Sequence, residues 1–104
     1  MNGSMEEAEP ITKERIKTVV RSLAPKYGVR RVYLFGSFAR NEQTDNSDID
    51  LRVDKGSAKG MQLAFLLTDL EDALNKKIDL VPTGALNDKF LSAISNDEEV
   101  IYES

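Results

Sequence analysis

Apolar residues recur every three or four positions in three stretches of the chain, which is the period of an α-helix. The first stretch follows Thr12, a residue that caps helix N-termini well, and it ends at Pro25 and Gly28. The second covers residues 61–74, and the third follows Asn87, a further capping residue. The apolar positions that define the three helices are Ile16, Val19, Val20, Leu23, Leu63, Leu66, Leu67, Leu70, Leu74, Phe90, Leu91 and Ile94.

Three short runs between these helices favour β-strands because they are rich in β-branched and aromatic residues. They are residues 31–35, residues 48–53 and residues 76–81, and the third run is stopped by Pro82. In the second run apolar and charged residues alternate strictly, so its aspartates and its arginine share one face. Residues 100–102 form either a short edge strand or a frayed end.

The order of these elements predicts the fold class. Helices and strands alternate along the chain, and residues 37–40 add a short helical turn after the first strand. We therefore predict an α/β (α+β) fold in which helices pack around a small mixed sheet of about three strands. The length of 104 residues predicts one domain over residues 1–104, of which residues 1–4 resemble an expression scar.

Composition narrows the chemistry that is open to this chain. It contains neither cysteine nor histidine, which excludes disulfides and zinc–cysteine sites and removes the commonest general base. Any bound metal is therefore held by oxygen atoms, which indicates magnesium, manganese or calcium. The formal charge of −4 does not favour direct nucleic-acid binding. Because the apolar runs are too short for a membrane helix and the N-terminus lacks a signal-peptide layout, we expect a cytoplasmic protein without membrane contact.

Three aspartates are placed so that they can converge on the predicted sheet. Asp48 and Asp50 are two positions apart on one strand, so their carboxylates project from the same face. In the third strand Asp79 lies between two apolar residues that face the core, so it points to the opposite side. If the two strands are neighbours, three carboxylates meet there, and a bound cation relieves their mutual repulsion. Clustered oxygen donors of this kind suit one or two magnesium ions.

A Gly-Ser pair follows the first strand directly. Gly36 allows the backbone to approach a ligand closely, and free backbone N–H groups at the start of the helical turn attract phosphate. Ser37 adds a hydroxyl donor and Arg40 a positive charge. Taken singly, the pair is an ordinary turn, Arg40 is a surface residue and each aspartate is a solvated strand residue or turn cap. Together they indicate a phosphate site beside a divalent metal, and thus a nucleoside triphosphate.

These residues carry a resemblance to a known superfamily. Gly36-Ser37, Arg40 and the run SDIDL at residues 47–51 resemble the Gly-Ser…Asp-x-Asp signature of the DNA polymerase beta-like nucleotidyltransferases. More narrowly, the short chain and the stretch GSFARNEQTDNSDIDL resemble the minimal nucleotidyltransferases, the MntA-like antitoxins. Asn41 stands where members of the family often have glycine. Because asparagine tolerates a left-handed backbone, we expect the turn to be preserved.

The resemblance implies the polymerase beta-like nucleotidyltransferase fold and the transfer of a nucleoside monophosphate from a triphosphate to a hydroxyl group. It implies two Mg²⁺ ions as cofactors and ATP as the substrate. In this chain Asp48 and Asp50 would hold both metals, and Asp79 would hold the catalytic metal and help to deprotonate the attacking hydroxyl. The residues that would contact the nucleotide are Gly36, Ser37, Arg40 and Ser47.

The resemblance also implies a partner. Similar proteins act as antitoxins that adenylylate a tyrosine of a HEPN ribonuclease toxin, so we expect AMP transfer to such a toxin within a toxin–antitoxin pair. Two alternatives stay open: a binding antitoxin that neutralises its partner without catalysis, and an aminoglycoside-type nucleotidyltransferase that acts on a small molecule. A homo- or hetero-oligomer is a further possibility, because so small a domain leaves its cleft open to water.

Overall fold

A computed structural model describes residues 10–104 of the chain, and the expected expression scar at residues 1–4 lies outside them. Helices and strands alternate through these residues as predicted, with short 3₁₀ turns at Ala24–Tyr27 and Thr83–Ala85. No helix within residues 10–104 has the length and apolar content that crossing a bilayer requires. The elements are α1 (Lys13–Leu23), β1 (Arg31–Phe35), α2 (Gly36–Ala39), β2 (Ile49–Asp54), α3 (Gly60–Leu74), β3 (Ile78–Pro82), α4 (Asp88–Ser95) and β4 (Glu99–Glu103).

Two predicted helix caps are confirmed. Thr12 Oγ1 accepts a hydrogen bond from the backbone N–H of Arg15 (3.1 Å), and Asn87 Oδ1 accepts one from the backbone N–H of Phe90 (2.8 Å). Each bond satisfies a donor that the first turn of a helix otherwise leaves without a partner. After α1 the chain tightens into a 3₁₀ turn and leaves it at Gly28, where φ is 77° and the left-handed backbone favours glycine.

The strands form one mixed sheet in the order β3-β2-β1-β4. β1 is antiparallel to both β2 and β4, whereas β2 and β3 are parallel and are connected through α3. The edge strand that the sequence left as one alternative at residues 100–102 is confirmed, and the sheet has four strands rather than about three. The sequence predicts fewer strands because β4 reads EVIYE, in which the apolar run between the glutamates is too short to define a period.

The hydrophobic core lies between one face of the sheet and the helices α1 and α3. Alternation along β1 and β2 sends every second side chain to the opposite side, which carries Phe35, Asp50 and Arg52 and is here called the polar face. Part of α4 covers the polar face, where Phe90 contacts Phe35. The buried side chains of the core include Ile16, Val19, Val20, Val32, Leu34, Ile49, Leu51, Val53, Leu63, Leu66, Leu70, Leu74, Ile78 and Ile101.

Candidate functional site

The register of the sheet determines where two of the predicted acidic residues lie. Asp50 of β2 is paired with Asp79 of β3 in the parallel pair of strands. Paired residues on parallel neighbours project to the same side, which here is opposite to that of Leu51, a residue buried in the core. Asp50 is half-buried and Asp79 is exposed, so the two residues lie at the solvent boundary of the polar face.

Asp48 lies one residue before β2 begins, rather than inside the strand as the alternation predicts. Its carboxylate is partly exposed, and its Oδ2 lies 3.9 Å from Lys77 Nζ. Its negative charge still reaches Asp50, because it contributes to the raised pKa of that residue. The structure therefore pairs Asp50 with Asp79 on the polar face and leaves Asp48 close enough for its charge to act on Asp50.

Gly36 lies directly against Asp50. Phe35, the residue before it, is paired with Asp50 across β1 and β2, and the chain then turns into α2 at Gly36 with a φ of 76°. A β-carbon at this position would overlap Asp50 Oδ2 and would lie 3.1 Å from its Cγ. The lack of a side chain therefore permits both the left-handed backbone and the close approach of the turn to the carboxylate.

Two further predicted residues follow in the same turn. Ser37 lies in the first turn of α2, and Arg40, which comes directly after α2, forms ion pairs with Glu42 (3.0 Å) and Asp97 (3.5 Å). Asn41 has a φ of 58°, which confirms the expected left-handed backbone at this asparagine. Ser37 thus directly follows the residue that touches Asp50, whereas the Arg40 guanidinium is paired with Glu42 and Asp97 and acts on Asp50 only through its charge.

The side chain of Ser47 has a local structural role. Its Oγ accepts a hydrogen bond from the backbone N–H of Thr44 (2.9 Å) and so stabilises the turn that precedes β2. The hydrogen bonds of the described residues do not connect its side chain with Gly36 or Ser37. Its expected contact with the nucleotide stays a prediction.

The electrostatics of Asp50 reflect its surroundings. Burial raises the pKa of its carboxyl above the ordinary value, and the negative charges of Asp79 and Asp48 raise it further. The positive charge of Arg40 acts in the opposite direction and lowers the pKa in part. These neighbouring negative charges disfavour ionisation of the Asp50 carboxyl, and a cation bound beside it would reverse that effect.

The donor set of this region fits magnesium. Within residues 10–104, no three acidic side chains are arranged so that they could hold an ion by themselves as they stand. Mg²⁺, however, is usually bound through one or two carboxylates and completes its octahedron with waters and substrate phosphates. Asp50 and Asp79 on adjacent strands, with Asp48 nearby, supply carboxylate oxygens of the required kind. Their roles as metal ligands stay predictions.

A buried arginine on the polar face makes contacts that the sequence does not predict. Arg52 is only 8% exposed, and its guanidinium carbon lies 3.6 Å from the centroid of the Tyr33 ring. It donates two hydrogen bonds to the Glu98 carboxylate, at 2.8 and 3.1 Å, and a third to Thr83 Oγ1 at 3.0 Å. The alternation of β2 correctly predicts its face, but its partners are distant in sequence and leave no local signal.

Two phenylalanines border the acidic region. The rings of Phe35 and Phe90 are 6.1 Å apart between centroids and nearly perpendicular, at 87°. Phe35 is buried and is paired in register with Asp50, whereas Phe90 on α4 is 42% exposed. The sequence pattern assigns Phe90 only to the apolar side of the last helix, because the packing of α4 on the sheet is not visible in that pattern.

A comparison with known protein families matches residues 14–104 to the family described as Polymerase beta, Nucleotidyltransferase. Among individual proteins, the chain is 40% identical over 96 residues to "Putative protein adenylyltransferase MJ0128" of Methanocaldococcus jannaschii, an alignment that covers 88% of this chain and 97% of the relative. It is 29% identical over 97 residues to protein adenylyltransferase MntA of Thermococcus cleftensis, with coverages of 88% and 96%.

Solved structures share the fold. A toxin–antitoxin structure with AMP-PNP superposes with a TM-score of 0.72 at 22% identity, over 85% of this chain and 73% of that one. A structure of a tri-AMPylated HEPN toxin of Shewanella oneidensis in complex with an MNT antitoxin matches with a TM-score of 0.66 at 18% identity, over 88% and 72% of the two chains. These likenesses confirm the predicted fold class.

Proposed function

The chain belongs to the polymerase beta nucleotidyltransferase family, and from that premise we propose that it transfers AMP from ATP to a hydroxyl group of a partner protein. The observation that carries the proposal is the pairing of Asp50 with Asp79 on adjacent strands, with Gly36 held against Asp50. A carboxylate pair next to a turn that a ligand can approach closely suits a metal-bound triphosphate. The identity of the transferred group is supported by relatives that are named protein adenylyltransferases.

In the proposed site the acidic residues would hold magnesium. Asp48 and Asp50 are assigned to two ions, and Asp79 to one of them. Bound magnesium would offset the charge of the triphosphate and stabilise the charge that develops on the departing pyrophosphate. The backbone at Gly36 lets the phosphates approach, the Ser37 hydroxyl donates to a phosphate oxygen, and Arg40 and Ser47 are assigned to the nucleotide.

The proposed reaction is an in-line displacement at the α-phosphorus atom. The acceptor oxygen forms a bond to this atom while the bond to the bridging oxygen of pyrophosphate breaks. Asp79 accepts the proton of the acceptor hydroxyl, and the electron pair of the broken bond leaves with pyrophosphate. Holding the reactants in line accounts for much of the rate enhancement that such a site can provide.

We propose a tyrosine of a HEPN toxin as the acceptor, with this chain as its antitoxin. The support is the structural neighbour described as a complex of a tri-AMPylated HEPN toxin with an MNT antitoxin. A second neighbour is described as a toxin–antitoxin structure with AMP-PNP, an analogue of ATP. The small site on an open sheet face leaves room for an acceptor that is supplied by another protein.

The test is label transfer from radiolabelled ATP to a HEPN partner in the presence of Mg²⁺. Wild-type protein should label the partner, and chelation of the metal should stop the reaction. Asp48→Asn combined with Asp50→Asn should reduce transfer by at least about 100-fold, because both proposed metal ligands lose their charge. Asp72→Asn is the control, since this aspartate is exposed on α3, which packs on the opposite face of the sheet. Undiminished transfer by the double variant would refute the metal assignment.

A binding antitoxin without catalysis is the second candidate. It is supported by structural neighbours that are described as toxin–antitoxin structures, since an antitoxin can also neutralise its partner by binding alone. The same double variant separates the two candidates in cells that express the toxin. If Asp48→Asn with Asp50→Asn still neutralises the toxin as well as wild type, binding alone is sufficient.

A further inference from the structure

We propose that Phe90, supported by Phe35, is the platform on which the nucleobase of the bound triphosphate stacks, and that it favours purines. This inference rests on the proposed nucleotidyltransferase function. Phe35 precedes Gly36 and is paired with Asp50, so its ring lies next to both proposed phosphate-binding and metal-binding residues. The Phe90 ring packs against Phe35 at 6.1 Å and is still 42% exposed.

The order of the strands favours the nucleobase over the acceptor as the group that uses this ring. Asp79 lies on β3, Asp50 on β2, and Phe35 with the Gly36 turn on β1, in that order across the sheet. A triphosphate held at the turn and by the carboxylates directs its departing pyrophosphate toward the turn. The acceptor of an in-line displacement then enters from the opposite side, near β3. Phe35 lies on β1, which β2 separates from β3, and Phe90 packs against it, so we assign the two rings to the nucleoside rather than to the acceptor.

The platform is held in place from two directions. The backbone N–H of Phe90 donates to Asn87 Oδ1 at 2.8 Å, which fixes the first turn of α4. Just beyond the other end of α4, Glu98 is bound by the guanidinium of Arg52 on β2. An aromatic ring on a fixed helix loses little freedom when a base stacks on it, and purines offer the larger flat surface for stacking.

The experiment compares two ligands that share the phosphate chain but differ in the base. The affinities of Mg-ATP and Mg-tripolyphosphate are measured calorimetrically for wild type, Phe90→Ala, Phe90→Leu and Phe90→Trp. Phe90→Ala and Phe90→Leu should weaken ATP binding by about fivefold or more and leave tripolyphosphate binding unchanged, because only ATP has a base to stack. Phe90→Trp should retain ATP affinity. The preference of wild type for ATP over CTP should shrink in the alanine and leucine variants.

Phe65→Ala is the matched control, since Phe65 is also an exposed phenylalanine, 53% accessible, but lies on α3 away from the polar face. It should leave both affinities unchanged. Equal ATP affinity in wild type and in a folded Phe90→Leu variant would overturn the platform while leaving the proposed function intact. Failure of wild type to bind either ligand would instead count against the proposed function itself.

Discussion

The backbone at Gly36 is the residue-scale feature on which the arrangement of the site depends. Its φ of 76° lies in the region that L-residues rarely adopt, and the position of its missing side chain is already taken by the Asp50 carboxylate. Asn41, which lies in the left-handed region at the end of the same turn, shows that the chain leaves the site through a second special conformation. Two left-handed positions thus bracket the segment that would receive the phosphates.

We predict that Gly36→Ala impairs both stability and transfer. The new methyl group must displace Asp50 and also imposes strain on the left-handed backbone, at a cost of about 1–3 kcal/mol in unfolding free energy. Transfer should fall by at least about tenfold, since misplacing a ligand group is expensive for an in-line reaction. Urea unfolding and label transfer measure the two effects.

Gly84→Ala is the control for this substitution, because a β-carbon at Gly84 would meet no atom of the described residues within 4 Å. It should leave both stability and transfer near their wild-type values. A Gly36→Ala protein with wild-type transfer would show that Asp50 can move without functional loss, contrary to the assigned role.

At the scale of elements, the buried ion pair of Arg52 and Glu98 connects the sheet with the junction of α4 and β4. The side chains are only 10% and 16% exposed, so both charges are largely removed from water and each is stabilised by the other. Arg52 also stacks on Tyr33 and donates to Thr83, which follows β3. Three separate parts of the polar face therefore meet at one guanidinium.

We predict that removing one partner of this ion pair lowers the free energy of unfolding more than replacing both partners with apolar residues. Arg52→Met leaves the Glu98 carboxylate partly buried without its partner and should lower the unfolding free energy by about 3 kcal/mol. Adding Glu98→Leu to Arg52→Met should restore most of the loss, because the remaining side chains are apolar and can pack together. A double-mutant cycle in urea measures the coupling, with the exposed Lys55→Met as a control. Additive effects would indicate that the ion pair contributes nothing specific.

A second ion pair joins α1 to β4. Glu99 Oε2 lies 2.6 Å from Lys17 Nζ, and Glu99 Oε1 lies 3.1 Å from Lys13 Nζ. The hydrogen bond with Lys17 is the largest cause of the lowered pKa of Glu99; burial opposes it, and Lys13 adds to it. The folded state therefore favours the charged carboxylate more than the unfolded state does.

This lowered pKa predicts a pH dependence of stability. Because the folded pKa is below the ordinary value of 4.5, the contribution of Glu99 is fully present at neutral pH and is lost as the pH falls through the folded pKa. Glu99→Gln should lower stability at pH 7 by less than about 1 kcal/mol, since the pair is partly exposed, and by a smaller amount at about pH 3, because the contribution is lost as the pH falls through the folded pKa. Urea midpoints across this range test the prediction. A difference that is the same at both pH values would contradict it.

Several single helices and strands could be predicted from the sequence, whereas the way they pack together could not. The periods of α1, α3 and β2 lie within short windows, so their existence and their inward faces could be predicted. The face of Asp50 and Asp79 follows from the same alternation, but their register depends on strands that are far apart in the chain. The partner of Arg52 and the packing of Phe90 are likewise products of tertiary structure, for which a local pattern holds no signal.

For the molecule as a whole, the two faces of the sheet have different tasks. One face packs against α1 and α3 to form the core. The other face carries charged and aromatic side chains that suit a binding site. Repulsion among the aspartates destabilises the protein when no cation is bound, and the core must compensate for it. One face of the sheet thus stabilises the fold, whereas the charges on the other face, which the proposed function requires, destabilise it.

We predict that Asp50→Asn stabilises the metal-free protein. Removing one of the clustered charges at nearly constant volume should raise the melting temperature by a few degrees, while transfer is lost. The transition should be single and coincide by circular dichroism and tyrosine fluorescence, as expected for one domain. Asp72→Asn, an exposed change on α3, should leave the melting temperature almost unaltered. A lower melting temperature for Asp50→Asn would show that its carboxylate is stabilised rather than repelled.

The place of β3 at the border of the sheet has a consequence for control of the reaction. Among residues 10–104, β3 carries Asp79 and pairs with β2 alone, so the amide protons of β3 should exchange with solvent sooner than those of β2. Local fraying there would separate Asp79 from Asp50 while the rest of the fold persists. Mild warming would then abolish transfer well below the melting temperature of the protein. A partner protein that binds along β3 would hold the strand in place and preserve the activity.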